Sequence, residues 1–218
     1  MANNVEPGDG GPRARTGLAA ALAVVAIAIA LVVHQWAAPR IAAHERAARV
    51  ARLTAVLGTT RFDNDVLTDV ITVRDPELLG TDRPVRVYRA RLGGQPAAAL
   101  IEAVAPGGYG GSIVLLVAVR PDGRVIGVQV TSHHETPGIG DGIEPQRSGW
   151  LARFTGRTLG DPPVGQWTVR RDGGDFDQYT GATVTSRAVV GAVRDTLRWY
   201  DANRAQVFTA PPDPAAGG

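Results

Sequence analysis

Hydrophobic positions along the chain fall into three regimes. From Thr16 to Pro39 there is no charged residue, and Gly17 to Val33 is almost wholly Ala, Val, Leu and Ile. This predicts a membrane-crossing helix over 16–38, with Trp36 at the interface. The run is longer than the apolar core of a usual leader, and Gln35 and Trp36 occupy the positions where a small-x-small cleavage site is needed. It is therefore read as a retained single-pass anchor rather than a cleaved signal peptide. Pro39 ends or kinks that helix. Residues 41–57 then carry a second helical pattern, with Leu53, Val56 and Leu57 apolar and Arg46, Arg49 and Arg52 forming a solvated basic face.

Beyond Gly58 the pattern becomes that of strands. Val85 to Leu92 leads through Gly93-Gly94 into Ala97 to Val104, as a hairpin would. Ser112 to Val119 is a nearly continuous apolar run, and Pro121-Asp122-Gly123 turns it into a returning strand over Arg124 to Thr131. Trp167 to Arg170 is a further strand candidate. The third regime begins near Ser186. Val189, Ala192, Val193, Thr196, Leu197 and Tyr200 recur at spacings of three and four, with Arg187, Arg194, Asp195 and Arg198 largely on the other side. Thr185 or Ser186 is the expected N-cap.

The fold class that follows is α+β: an N-terminal transmembrane helix, then a mainly antiparallel sheet with packed helices. The expected divisions are a tail over 1–15, the anchor over 16–38, a juxtamembrane helix over 39–58, a folded domain over 59–205 and a disordered tail over 206–218, the last rich in Ala, Pro and Gly.

Composition narrows the chemistry. The chain has 218 residues and a formal net charge of +2, with no arginine stripe interleaved with aromatics, so nucleic acid is not an expected partner. Every basic residue is Arg, which reads as coding bias. There is no Cys. That excludes disulfides, Cys-ligated iron–sulfur clusters, thiolate zinc sites and a Cys nucleophile. A redox role would need an organic cofactor, or a haem held without Cys.

Two segments carry candidate chemistry. In Asp177 to Ser186, Gly181 and Ala182 lie between hydroxyls where the chain enters a helix. Main-chain N–H groups and the helix dipole favour a phosphate there, close to Thr183. The same run is also what an ordinary helix start looks like. The second segment is His133-His134-Glu135-Thr136-Pro137-Gly138-Ile139-Gly140-Asp141, a loop leaving a strand. Consecutive ligand-type residues rarely converge on one ion and no HExxH spacing is present, so no metal site is assigned. A G-x-S-x-G elbow is also lacking, which argues against a serine hydrolase.

Taken in order, Gly-Tyr-Gly-Gly (108–111), a hydrophobic hairpin, His-His-Glu-Thr-Pro-Gly-Ile-Gly (133–140) and Asp-Gln-Tyr-Thr-Gly-Ala-Thr (177–183) resemble the covalent FMN-binding domain of the G subunit of Rnf-type electron transport complexes. The C subunit of the sodium-translocating NADH:quinone reductase shares that domain but is usually longer. The resemblance runs from the anchor to about Tyr200. It implies that Thr183 carries FMN through a phosphoester bond from its side-chain oxygen, after recognition by a dedicated flavin transferase. Asp177, Thr180, Gly181 and Ala182 would form the recognition segment, with Thr185 and Ser186 adjoining it. His133, Glu135, Thr136 and Gly138 would belong to the loop facing the flavin. The family often has Lys or Gly in place of His134 and Leu in place of Ile139.

The resemblance further implies a redox carrier rather than a stand-alone catalyst, with no catalytic residue of its own. Its partners would be the other subunits of a membrane complex coupling ferredoxin–NAD electron transfer to ion translocation. The chain would sit in the bacterial inner membrane with residues 1–15 cytoplasmic and 59–205 periplasmic. Counting arginines alone points the other way, since Arg40, Arg46, Arg49 and Arg52 outnumber Arg13 and Arg15. The reading from a different class is a membrane-anchored binding or assembly module without a redox cofactor.

Overall fold

The computed structural model describes residues 34 and 45–214. The expected N-terminal tail and, apart from His34, the expected anchor over 16–38 lie outside the described residues. Among those described, no helix is long and apolar enough to cross a membrane. The chain divides into two units, Met1–Arg49 and Val50–Gly218. Of the first, residues 34 and 45–49 are described and are helical.

Five strands form the centre of the second unit: β1 (Val70–Val73), β2 (Val85–Leu92), β3 (Gln95–Gly108), β4 (Gly111–Val119) and β5 (Val125–Ser132). They lie in sequence order and each pair is antiparallel. The turns follow from the residues between them. Gly93-Gly94 closes β2 on β3, and the Pro121-Asp122-Gly123 turn closes β4 on β5, with Arg124 N–H bonded to the Asp122 carboxylate at 3.0 Å. The expected antiparallel sheet is present, and β1 is an addition to it.

Alternation along the strands gives the sheet two buried faces. On one, Val87, Ile101, Ala103, Leu115 and Val117 pack with Val189, Val193, Leu197 and Tyr200 of the long helix over Thr183–Thr209. (Helices are α1, residues 45–57; α2, Pro76–Leu79; α3, Thr183–Thr209.) On the other, Tyr88, Leu100, Leu116 and Ala118 pack with Leu53, Val56 and Leu57 at the end of α1. Gly127 lets that helix close in, since a Cβ there would stand 2.8 Å from the Val56 carbonyl.

Three expectations need correction. Trp167–Arg170 is not a strand. It is flanked by 3-10 turns at Val164–Gln166 and Arg170–Asp172, and Val169 makes a single bridge to Phe176. The β5 edge it might have joined is occupied by Gly156 and Arg157, which bond Val125 at 2.8 and 2.9 Å. Second, α3 begins at Thr183 with Ala182 as N-cap, ahead of the expected cap at Thr185 or Ser186. Both hydroxyls are engaged elsewhere, as described below. Third, the segment expected as a tail from 206 begins as the last turn of α3, with Val207 buried, and Asp213 N–H bonds the Val70 carbonyl at 2.7 Å. Residues 215–218 lie outside the described residues.

The C-terminal end of α3 is held by two arginines of β2. Arg89, 1% exposed, donates to the carbonyls of Val207 at 3.1 Å and Ala210 at 2.5 Å, and pairs with Asp69. Arg91 bonds the Phe208 carbonyl at 2.9 Å and Asp69 at 2.7 Å. Positive side chains thus meet the carbonyl-rich end of the helix.

Candidate functional site

Three segments converge at the opposite end of α3: the β3–β4 turn at Gly108–Gly111, the loop after β5, and the first turn of α3. They enclose a cavity of about 540 Å³, within the range of small-molecule sites. Tyr109, Glu135, Thr136, Ile139 and Arg171 line it together with Gly181 to Thr185. Its rim is apolar. Of the five large hydrophobic residues exposed among those described, three (Tyr109, Ile139 and Val184) are here.

The helix start is uncapped. Ala182 has no side chain able to accept from the first turn, and no side-chain cap bond is present. The first N–H groups of a helix have no intrahelical partner, so this end presents donors and the positive end of the dipole toward the cavity. Gly181 makes the approach possible, with φ +82, a conformation that L side chains rarely adopt. Arg171 adds a positive charge. The neighbouring Asp172 is taken up by Arg187 through bonds at 2.5 and 2.9 Å, which hold its carboxyl below the usual range and raise the Arg187 guanidinium.

The four aliphatic hydroxyls of the segment differ in availability. Ser186 is fully buried; its oxygen donates to the Ala182 carbonyl at 2.9 Å and accepts from Tyr179 N–H at 2.9 Å. Thr185, 1% exposed, donates to the Glu135 carboxylate. Thr180 is exposed and does not line the cavity. Thr183 is half-buried, lines the cavity, and its hydroxyl has no hydrogen-bond partner among the described residues.

The loop after β5 is ordered from within. His133 Nδ1 accepts from Glu135 N–H at 3.1 Å, and Nε2 lies 2.9 Å from Glu144. An accepting Nδ1 leaves Nε2 as the donor to Glu144. Gly110 and Gly140 are close-approach positions: a Cβ at Gly110 would run into the His134 carbonyl, and one at Gly140 would stand 2.8 Å from Glu135.

Thr183, Gly181, Ala182, Thr185, Glu135 and Thr136 are therefore brought together at one cavity. Asp177, Thr180, Ser186, His133 and Gly138 do not line it. Asp177 turns its carboxylate to Arg170 at 2.8 Å and to Arg153. Gly138 supplies a turn with φ +78. Sequence reasoning gave no role to Tyr109, Val184, Arg171 or Ile139, although the first two and Ile139 lie within the motifs it singled out. Tyr109, a lone aromatic among three glycines of a tight turn, carried a signal; Arg171 carried none.

The FMN-binding domain family matches residues 108–198, a span that contains all three converging segments. The G subunit of the ion-translocating oxidoreductase complex of Pseudomonas aeruginosa is 46% identical over 195 residues, covering 89% of this chain and 90% of that protein. The protein of the same description from Shewanella baltica is 38% identical over 201 residues, 92% of this chain and 95% of its own. Among solved structures, Shewanella oneidensis NqrC aligns over 66% of this chain and 74% of its own, with 24% identity and a TM-score of 0.47. With relatives this similar over nearly their whole length, the chain belongs to the family of G subunits of ion-translocating oxidoreductase complexes.

Proposed function

We propose that the chain is the electron-transfer subunit of an Rnf-type complex, carrying FMN through a phosphoester bond on Thr183. One observation carries this reading. Thr183 alone among the hydroxyls of 180–186 both lines the cavity and keeps its oxygen free of a partner among the described residues. The residues present fit the group. The uncapped first turn of α3 and Arg171 would hold the phosphate, and the apolar rim of Tyr109, Ile139 and Val184 would lie against the ring system.

Bound FMN would supply the redox centre that a chain without Cys lacks among its own side chains. The polypeptide's part is to bind and orient. Thr183 fixes the point of attachment, and α3, packed along its length on the sheet, keeps that point stationary. In this reading residues 16–38 anchor the chain in the inner membrane and 59–205 lie in the periplasm, where covalent attachment prevents loss of a dissociated flavin. A flavin transferase matures the chain, and the other subunits of the complex supply and accept the electrons.

Co-expression with the flavin transferase, followed by a denaturing gel read for flavin fluorescence, tests the attachment. The wild-type band should fluoresce and Thr183→Ala should be dark; fluorescence persisting in Thr183→Ala would move the acceptor to another hydroxyl. A reporter active only in the periplasm, fused after Gly218, should be active.

A further inference from the structure

Glu135 is 5% exposed, and both of its carboxylate oxygens are used inside the protein. Oε1 accepts from Gly110 N–H at 2.9 Å, and Oε2 accepts from the Thr185 hydroxyl. A carboxylate withdrawn this far from water ordinarily faces an arginine or a lysine. Glu135 has no ion pair among the described residues. Glycines encase it instead: a Cβ at Gly108 would stand 2.7 Å from Oε1 and one at Gly140 2.8 Å from Oε2. At Gly140 every close neighbour of such a Cβ belongs to Glu135, while at Gly108 it would also run into the Gly111 carbonyl. That carboxylate, carried on the loop after β5, bonds the β3–β4 turn at Gly110 and the first turn of α3 at Thr185.

We propose that Glu135 is the positioning residue of the modification site. By bonding Thr185 and Gly110 together it fixes the first turn of α3 against the glycine turn, and so sets where Thr183, two residues earlier, presents its oxygen. It also occupies the Thr185 hydroxyl, leaving Thr183 as the free one facing the cavity. This rests on Thr183 being the acceptor. In loading, Thr183 Oγ1 forms a bond to phosphorus and loses its proton to solvent. A phosphoanhydride bond of a flavin dinucleotide donor breaks, and a nucleoside monophosphate leaves. Nothing is oxidised or reduced. Such a displacement depends on the placement of the attacking oxygen, and an error of about 1 Å can slow a reaction about a hundredfold.

The hydrogen-bonding inventory makes the idea separable from an effect of charge. In Glu135→Gln the amide oxygen can accept from Gly110 N–H while the amide nitrogen donates to the Thr185 oxygen, which accepts as well as donates. Both links survive without the charge. Glu135→Ala removes both, and Thr185→Val removes one while conserving side-chain shape.

The test is a time course of loading on the full chain, with flavin transferase and flavin dinucleotide, read by in-gel fluorescence. Thermal unfolding of each unloaded variant is recorded alongside. Glu135→Gln should load within about threefold of wild type, whereas Glu135→Ala and Thr185→Val should be slower by roughly tenfold to a hundredfold. Thr185→Val decides the matter even where Glu135→Ala fails to fold. Wild-type rates in Thr185→Val would overturn the proposal, as would a Glu135→Gln protein as slow as Glu135→Ala. Either result leaves Thr183 as the acceptor. A wild type that never becomes fluorescent, by contrast, would overturn the Thr183 reading and this proposal with it.

Discussion

The indole N–H of Trp150 donates to the main-chain oxygen of Asp177 at 2.6 Å. Trp150 belongs to an aromatic cluster: it meets Phe154 edge-on with ring centres 5.5 Å apart, and Phe154 stacks on Phe176 at 5.0 Å. The bond thus fastens the segment leading to Thr183 onto this aromatic cluster of the core. Arg153 and Arg170 hold the Asp177 carboxylate from the surface. Asp177 is therefore held at both main chain and side chain on the path toward Thr183, without lining the cavity.

Replacing Trp150 by Phe keeps an aromatic ring in the cluster and removes the donor. The Asp177 carbonyl then loses its partner, and denaturant unfolding should show a loss of about 1–2 kcal/mol. The same variant should load flavin more slowly than wild type, a difference read from the fluorescence time course.

Arg171 is exposed beside the helix start, so any contribution it would make to holding a phosphate under the proposed function would be screened. Arg171→Gln should raise the flavin dinucleotide concentration needed for half-maximal loading a few-fold, about 1 kcal/mol, with the maximal rate little changed. Raising the salt concentration on wild type should mimic the substitution, and the variant should respond less to salt.

Tyr200 is buried on α3 with its hydroxyl unpartnered, and burial, the largest cause, pushes its pKa up to about 12. The unfolded chain ionises this group near pH 10, so between about pH 10 and 12 the unfolded state binds fewer protons and stability falls as pH rises. The loss across that window should be on the order of 2 kcal/mol. Tyr200→Phe should flatten this alkaline slope in denaturant titrations. It should not destabilise the protein at pH 7, because it removes a buried polar atom that has no partner.

Arg89 is the buried member of the clamp on the C-terminal end of α3. Arg89→Met should cost about 3 kcal/mol or more, since the carbonyls of Val207 and Ala210 lose their donor and Asp69 loses a buried partner. Hydrogen exchange should accelerate in the last turn of α3 and stay slow near Val193, which is held by the sheet.

The parts legible in the sequence are those with a period. Four strands and the body of α3 followed from alternation and from spacings of three and four, because burial on a sheet or a helix face enforces such repeats. The strand Val70–Val73 escaped notice because four residues between Asp69 and Arg74 leave too short a pattern. Trp167–Arg170 misled for the opposite reason. Its hydrophobic residues are buried in an aromatic cluster, where burial follows from ring contacts and not from a ladder. The start of α3 was misplaced because Thr185 and Ser186 are good capping types, yet their oxygens are spent on Glu135, Tyr179 and Ala182. Such partners lie across loops and have no local signature. Arg171 and Val184 were missed on the same ground.

The 27 residues of α3 would make a rod about 40 Å long, with its first residue at the cavity and its last turn locked to β2. Carriers on long flexible arms swing between donor and acceptor. A redox group esterified to Thr183 would have only one side chain's worth of slack on a rigid shaft. Its reach is fixed by the fold, so partners would have to come to it. The distances for electron entry and exit would then be set by how neighbouring proteins dock around Tyr109, Ile139 and Val184.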